Sequence, residues 1–108
     1  MSETMTRRQG DLGIIEIEAL PKTKMIVKHN GIILAGEKTG HNHVLKGGQL
    51  LVLEKPKKQI IGYAKIKQET QIMHDEHNPI ILKPGLYMFV RQREYAPGQS
   101  RSFRMVQD

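Results

Sequence analysis

Residues 84–95, PGLYMFVRQREY, decide the fold class of this chain. Pro84-Gly85 is the pair that a type II turn prefers, because proline fixes φ at one central position and glycine accepts a positive φ at the next. In the strand that would follow, successive side chains point to opposite faces. Leu86–Val90 are apolar on both faces, whereas Arg91–Glu94 are polar on both. We therefore predict a long strand that begins in the core and ends at a polar rim.

Short apolar runs recur along the rest of the chain and are separated by turn residues. We predict strands over residues 11–19, 25–27, 31–35, 49–53, 60–67 and 70–74, and a short strand ending near residue 45. Asn30-Gly31 predicts a type I′ hairpin between residues 25–27 and 31–35, because both turn residues tolerate positive φ. No run has convincing helical periodicity, and turn signals recur roughly every eight to twelve residues. The pattern predicts an all-β fold, a small barrel or a jelly-roll-like sandwich.

The length of 108 residues fits a single domain, because domains cluster around about 100–150 residues. Residues 1–10 are polar and lack periodicity, which predicts a flexible N-terminal arm. The β domain is predicted over residues 11–97, and residues 98–108 form either a disordered tail or an edge strand. A domain of this size has a modest margin of stability, which favours assembly into a homo-oligomer.

Composition limits both the partners and the location of the protein. The chain has no cysteine, so any metal must be held by His, Asp, Glu, backbone oxygen or water. A cysteine-free composition points to the cytoplasm, and no stretch approaches the ~18 apolar residues of a membrane span. The net charge of +6 favours an anionic small molecule or a nucleic acid as partner, because Lys and Arg release counterions from phosphates.

Four of the five histidines occur in two short segments, His41-Asn42-His43 and His74-Asp75-Glu76-His77. On a strand, residues two apart project to the same face, so His41 and His43 are able to present two imidazoles to one ion. In the second segment, His74 and Glu76 share a face if the chain is extended, and His74 and His77 share one if it turns. The residue types predict a divalent-metal site for zinc, iron, manganese or nickel.

A less specific interpretation is that these histidines and acids occupy exposed polar loops and are merely solvated. An isolated His-x-His is common, and only the occurrence of two such clusters in a short chain favours metal binding. His29, alone beside a turn, is predicted to be a surface residue.

The segment 36–43, with Gly47-Gly48 behind it and Pro84-Gly85 later, resembles the cupin family of small β-barrels, whose first motif places His-x-His after a glycine. That resemblance covers His41 and His43 and implies a metal inside a barrel, used for redox, isomerase or hydrolytic chemistry or for sensing a ligand. Segments 40–43, 74–79 and 91–95 also look similar to small uncharacterised bacterial and phage proteins, a resemblance that implies no function.

Three functional hypotheses follow. The first is a metal-dependent hydrolase acting on a phosphate-bearing substrate, with Glu76 as general base or ligand and with Arg91 and Arg93 clamping the phosphate. The second is a non-catalytic partner protein in which the metal is structural. The third is a nucleic-acid- or nucleotide-binding module. Its phosphate contacts would come from Lys57, Lys58, Lys65, Lys67, Arg91, Arg93, Arg101 and Arg104.

Overall fold

The structure, a computed structural model, describes residues 6–36, 40–91 and 105–106. The regular elements in these residues are all strands: β1 Thr6–Gln9, β2 Leu12–Ile17, β3 Met25–Val27, β4 Ile32–Leu34, β5 His43–Leu45, β6 Gln49–Leu53, β7 Ile60–Ile66, β8 Thr70–Met73, β9 Ile80–Leu82, β10 Gly85–Arg91 and β11 Met105–Val106. The all-β prediction is confirmed. The described part of the chain offers no helical segment with the length and hydropathy of a membrane span.

The strands form two sheets, one with the order β11-β1-β2-β10-β7-β6-β3 and one with the order β4-β5-β8-β9. Every pairing is antiparallel except that of β1 with β11. Across residues 6–36, 40–91 and 105–106 the two sheets stay separate and do not close into a barrel. Of the two predicted architectures, the sandwich is therefore the one that fits, within a single domain.

The main core lies between the two sheets, because both contribute apolar side chains to one buried cluster. The larger sheet supplies residues such as Leu12, Ile14 and Phe89, and the smaller sheet supplies residues such as Ile72 and Leu82. All five are at most 2% exposed. This packing fixes the smaller sheet, which carries the histidine segments, against the larger one.

The larger sheet also buries apolar residues on its other face. Leu51, Leu53 and Tyr63 form a second cluster there, and Leu20, from the connection between β2 and β3, and Met25, in β3, pack against it. Because both faces of the central strands are covered, their sequences are apolar on both faces. This explains the continuous apolar run Leu86–Val90.

Strand β10 confirms the predicted alternation over its described residues. Tyr87 and Phe89 belong to the core between the sheets, whereas Met88 and Val90 pack on the opposite face. Gly85 has a φ of 155° rather than the roughly +80° of a type II turn, so that prediction of turn type is wrong. Residues 92–95 of the predicted strand lie outside the described residues.

The structure corrects the predicted N-terminal arm over residues 1–10. Thr6–Gln9 form β1 and pair with β2, and the side chain of Gln9 is fully buried. A buried amide needs hydrogen-bond partners, and Gln9 has them, so this segment is held in place despite its polar sequence. Residues 1–5 lie outside the described residues. Of the two alternatives for residues 98–108, an edge strand occurs at Met105–Val106, which pairs with β1.

The predicted hairpin at Asn30-Gly31 is wrong. Strand β3 pairs with β6 in one sheet and β4 pairs with β5 in the other, so the turn leads the chain between the sheets. Only Gly31 has a positive φ, 75°, whereas a type I′ turn requires it at both central residues. The Asn30 side chain instead accepts a hydrogen bond from the backbone N–H of Ile32 at 2.9 Å, an arrangement typical of an Asx turn.

Candidate functional site

Strands β5 and β8 bring the two histidine segments together. The strands pair antiparallel, with Val44 opposite Met73 and Leu45 opposite Ile72. Continuing this register by one residue sets His43 opposite the position just after β8, which is His74. The ring centroids of His43 and His74 are accordingly 4.3 Å apart.

The other two histidines join the same group of rings. The centroid of His74 is 4.7 Å from that of His77 and 5.8 Å from that of His41, and the rings of His43 and His77 are stacked at 6.4 Å. The structure therefore brings together all four histidines that the sequence assigned as metal ligands. We call His41, His43, His74 and His77 the histidine cluster.

The histidine cluster has a buried end and an open end. His43 is 5% exposed, whereas the side chain of His41 is 29% exposed and that of Glu76 is 59% exposed. The Oε1 atom of Glu76 lies 3.3 Å from Nδ1 of His41. The one carboxylate that the sequence assigned to catalysis thus sits at the solvent side of the rings.

Burial and neighbouring rings favour the neutral form of His74. Its pKa lies below the usual value, first because desolvation penalises the charged ring and then because His77 and His41 repel it, with Glu76 and Asp75 acting in the opposite direction. The backbone N–H of Glu76 also donates to Nδ1 of His74 at 3.0 Å. A neutral imidazole is the form that binds metal ions.

Gln9 supports the buried end of the histidine cluster. Its Oε1 atom lies 2.9 Å from Nδ1 of His43. Its Nε2 atom donates to the backbone carbonyls of Ile72 at 3.1 Å and Asn78 at 2.8 Å. One side chain from β1 therefore connects β5, the end of β8 and the segment that carries His74 and His77.

Gly10, the next residue, leaves room for the ring of His77. A Cβ atom on Gly10 would lie 2.6 Å from Nε2 of His77, and the residue has a φ of 61°. Both the space and the left-handed backbone conformation thus require glycine here. The turn after β1 therefore positions one ring of the histidine cluster.

Arg91 lies on the cluster's side of the larger sheet. It pairs with Leu12, and Leu12 pairs with Gln9, so the three form a row across neighbouring strands whose side chains point to one face. With strands about 4.8 Å apart, the Cα atoms of Arg91 and Gln9 are about 10 Å apart. Arg93, the second predicted substrate-binding residue, lies outside the described residues.

Whether the rings are able to share one ion depends on the separations of their centroids and on the directions in which their nitrogen atoms point. Two imidazoles on one ion have centroids roughly 4.5–5.2 Å apart, given metal–nitrogen bonds of about 2.0–2.1 Å. Of the four observed separations, 4.3 and 4.7 Å lie near this range, whereas 5.8 and 6.4 Å exceed it. Within residues 6–36, 40–91 and 105–106, however, no group of three or more His, Asp or Glu side chains is arranged to hold a metal ion as it stands. Ring rotation, above all of His74, would be needed.

A groove of about 470 Å³ lies between residues 27–31 and residues 44–50. Its lining includes Lys28, Lys46 and His29 and no carboxylate. His29 is exposed, which confirms the prediction that it is a surface residue. None of the histidine cluster lines this groove.

Sequence reasoning missed Gln9 and Gly10. Both fell in the segment interpreted as a flexible arm, because Thr6–Gly10 contain no apolar residue and therefore no periodicity. The one available signal was Gly10-Asp11 directly before the apolar run at Leu12, which is a turn signal and implies a strand on its other side.

The fold and the histidine cluster together define a small β-sandwich domain with four clustered imidazoles at one end of β5 and β8. The chain belongs to the family described as Domain of unknown function (DUF8820), whose model matches residues 8–92. The match includes Gln9, Gly10 and the whole histidine cluster. No curated protein and no solved structure matches the chain. The comparisons therefore place it in an uncharacterised family and give no support to membership of the cupins.

Proposed function

We propose that this domain binds a divalent transition-metal ion through the histidine cluster. The observation that carries the proposal is the proximity of four imidazole rings from two segments remote in sequence, which the pairing of β5 with β8 brings together. Neutral imidazoles gathered in this way offer several nitrogen lone pairs to one ion, and the neutral ring is the form that coordinates a metal. A ligand set dominated by imidazole suits zinc, iron and nickel, whereas manganese prefers oxygen ligands.

Binding requires small movements of side chains that have room to move. His74 would release the N–H of Glu76 to turn its ring, at a cost of about 0.5–1.5 kcal/mol for one exposed hydrogen bond. Glu76 is exposed, so its side chain is able to change rotamer and bring its carboxylate toward an ion or a water. The coordination of the ion would repay this cost, since structural zinc sites contribute on the order of 10 kcal/mol.

Elemental analysis of protein purified without a His-tag tests the proposal. We expect about one zinc, iron or nickel per chain and a calorimetric titration with zinc that saturates at the same ratio. His41→Ala and His77→Ala should each lower the affinity by more than the roughly 10–100-fold typical of a residue that only orients a ligand. His29→Ala, which removes a histidine outside the cluster, should not. Equal uptake by all three variants would show that the ion binds elsewhere.

A hydrolytic reaction on a phosphate-bearing substrate is the activity that we propose for this site. A divalent ion held by the histidine cluster would supply a water whose pKa is near neutrality. In this proposal Glu76, at the open end, would accept a proton from that water, and Arg91, on the cluster's side of the larger sheet, would bind the phosphate bidentately. Glu76→Gln should then abolish phosphoester hydrolysis and leave zinc uptake in place. A variant that hydrolyses as fast as the wild type would remove Glu76 from the mechanism.

The groove between residues 27–31 and 44–50 favours anion binding as a second candidate function. Lys28 and Lys46 line it without an opposing carboxylate. The basic residues predicted from the sequence did not include these two lysines, and they do not form one patch, because Lys58 precedes β7 and Lys67 follows it, at opposite ends of a strand roughly 20 Å long. Arg101 and Arg104, like Arg93, lie outside the described residues.

Phosphate and a short single-stranded oligonucleotide are the probes for this groove. We expect chemical-shift changes centred on residues 27–31 and 44–50, weakened several-fold in Lys28→Gln and in Lys46→Gln and unchanged by a chelator. For the oligonucleotide, removing one lysine–phosphate interaction should reduce the slope of log affinity against log salt by about 0.7. Lys22→Gln, at an exposed lysine outside the groove, is the control. An equal reduction of oligonucleotide affinity in all three variants would show that binding depends on the net charge of the protein and not on the groove.

A further inference from the structure

The orientation of the Gln9 side-chain amide follows from its partners. Its Nε2 atom faces two backbone carbonyl oxygens, those of Ile72 and Asn78, and a carbonyl oxygen only accepts hydrogen bonds. Turning the amide over would set its oxygen against both carbonyls. In a side chain that is fully buried, this would leave unpaired polar groups at about 1–3 kcal/mol each. The amide oxygen therefore faces His43.

The amide orientation in turn determines where the proton of His43 lies. Oε1 of Gln9 is 2.9 Å from Nδ1 of His43, and an amide oxygen has no hydrogen to donate. Nδ1 must therefore be the donor, so it carries the proton. In the neutral ring the lone pair is then on Nε2, the nitrogen that is able to coordinate as a base.

We propose that Gln9 is a positioning residue that holds His43 in the Nδ1–H tautomer and so presents the Nε2 lone pair to the histidine cluster. This inference rests on the proposed metal function, because the orientation of the His43 ring matters to function only if the histidine cluster binds an ion. Ligating histidines commonly donate their second ring N–H to a protein oxygen, which fixes the orientation of the ring. Gln9 provides that oxygen at the most buried ring of the cluster.

His74 is in the opposite state. Its Nδ1 atom accepts from the backbone N–H of Glu76, so its neutral form carries the proton on Nε2. The rings of His43 and His74 have centroids 4.3 Å apart. The Nε2 atom of His43 is an unprotonated base, whereas the Nε2 atom of His74 carries a hydrogen. In these tautomers His43 offers Nε2 as a base, whereas His74 would have to change tautomer or turn its ring to coordinate an ion, so we assign His43 as the anchoring ligand.

Long-range ¹H–¹⁵N correlation of the imidazole nitrogens in metal-free protein tests the tautomer directly. We expect His43 to show a protonated Nδ1 and an unprotonated Nε2, and His74 to show the reverse. A wild-type His43 ring protonated mainly on Nε2 would overturn the inference. This measurement requires no variant, so it stands even if changes at Gln9 prevent folding.

Gln9→Met separates positioning from a purely structural role. Methionine keeps the length of the side chain and removes both the acceptor and the donors, so His43 should shift toward the Nε2–H tautomer that is common in free imidazoles. Zinc affinity should fall about 10–100-fold, as for other residues that orient a ligand. Gln68→Met, at an exposed glutamine between β7 and β8, should change neither. A Gln9→Met protein that is less stable but keeps the wild-type tautomer would show that Gln9 is structural only.

The outcomes also distinguish this inference from the proposed function. If His43 is Nδ1–H and Gln9→Met changes the tautomer, but the wild-type protein takes up no metal, then the tautomer assignment holds and the metal function is wrong. If the wild-type protein takes up one metal ion while metal-free His43 is protonated on Nε2, then the metal function holds and the role of Gln9 is wrong.

Discussion

Zinc at about 100 times its dissociation constant is expected to raise the thermal midpoint of the wild-type chain by roughly 10–20 °C. A ligand that binds only the folded state stabilises it by about 2.7 kcal/mol at that concentration, and each kcal/mol shifts the midpoint of a domain of this size by about 4–8 °C. The histidine cluster exists only in the folded chain, because β5 must pair with β8 to bring His43 beside His74. Differential scanning calorimetry with and without zinc measures the shift.

The histidine variants show whether this shift comes from the cluster. His41→Ala and His77→Ala should lose most of it, whereas His29→Ala should keep it in full, since His29 lies on the groove and outside the cluster. Magnesium, which prefers oxygen ligands, should give no shift. A zinc shift that is the same in all three variants would contradict the proposed site.

The same measurement separates a structural ion from a catalytic one. A structural ion stabilises the fold, and the purified protein then hydrolyses no phosphoester at any zinc concentration. A catalytic ion requires both the zinc shift and turnover that depends on Glu76. His43, at 5% exposure, is suited to either role, whereas Glu76, at 59% exposure, is too exposed to add much stability, so the proposed role of Glu76 is tested by turnover alone.

The sequence predicted the elements whose signal is local. Residues 86–90 are five consecutive apolar side chains, and β10 carries Tyr87 and Phe89 into the core between the sheets and Met88 and Val90 to the opposite face. Membership of the cluster was likewise readable, because His41-x-His43 and His74-x-x-His77 are short patterns with few other histidines in the chain. The pairing of β5 with β8 that unites them is a long-range contact, and no local pattern specified it.

The turn at Asn30-Gly31 shows why local signals mislead. The dipeptide is compatible with a hairpin, but the residues on its two sides belong to different cores: Val27 packs with the cluster on the outer face of the larger sheet, and Ile33 packs between the sheets. Burial of these flanking side chains outweighs the small preference of a turn. The chain therefore passes from one sheet to the other at Asn30-Gly31, where the sequence alone predicted a hairpin.

Gln9 was hidden for a different reason. A polar residue in a polar segment predicts exposure, and its burial is tolerated only because three partners exist, one on β5, one on β8 and one beyond it. Those partners come together only after both sheets have formed. A residue such as Gln9, which supports a site through partners remote in sequence, is therefore recognised only in the folded structure.

Gly10→Ala is expected to weaken zinc binding by at least about 10-fold, the lower end of the loss seen when a ligand is misoriented. The new Cβ would lie 2.6 Å from Nε2 of His77, a distance that forces the ring to move from its place in the histidine cluster. Because a side chain can swing aside, the loss should appear mainly in metal affinity. The left-handed backbone should add a loss of folding stability of roughly 1–2 kcal/mol.

Gly40→Ala is the matched control. Gly40 also has a positive φ, 74°, but a Cβ there meets nothing within 4 Å. It lies next to His41, so it also tests whether backbone strain beside the cluster is enough to disturb it. Both variants should therefore lose similar folding stability in urea, while only Gly10→Ala loses zinc affinity. If the two variants lose zinc affinity equally, strain in the backbone is the cause, and the ring of His77 is not the ligand that the turn after β1 holds in place.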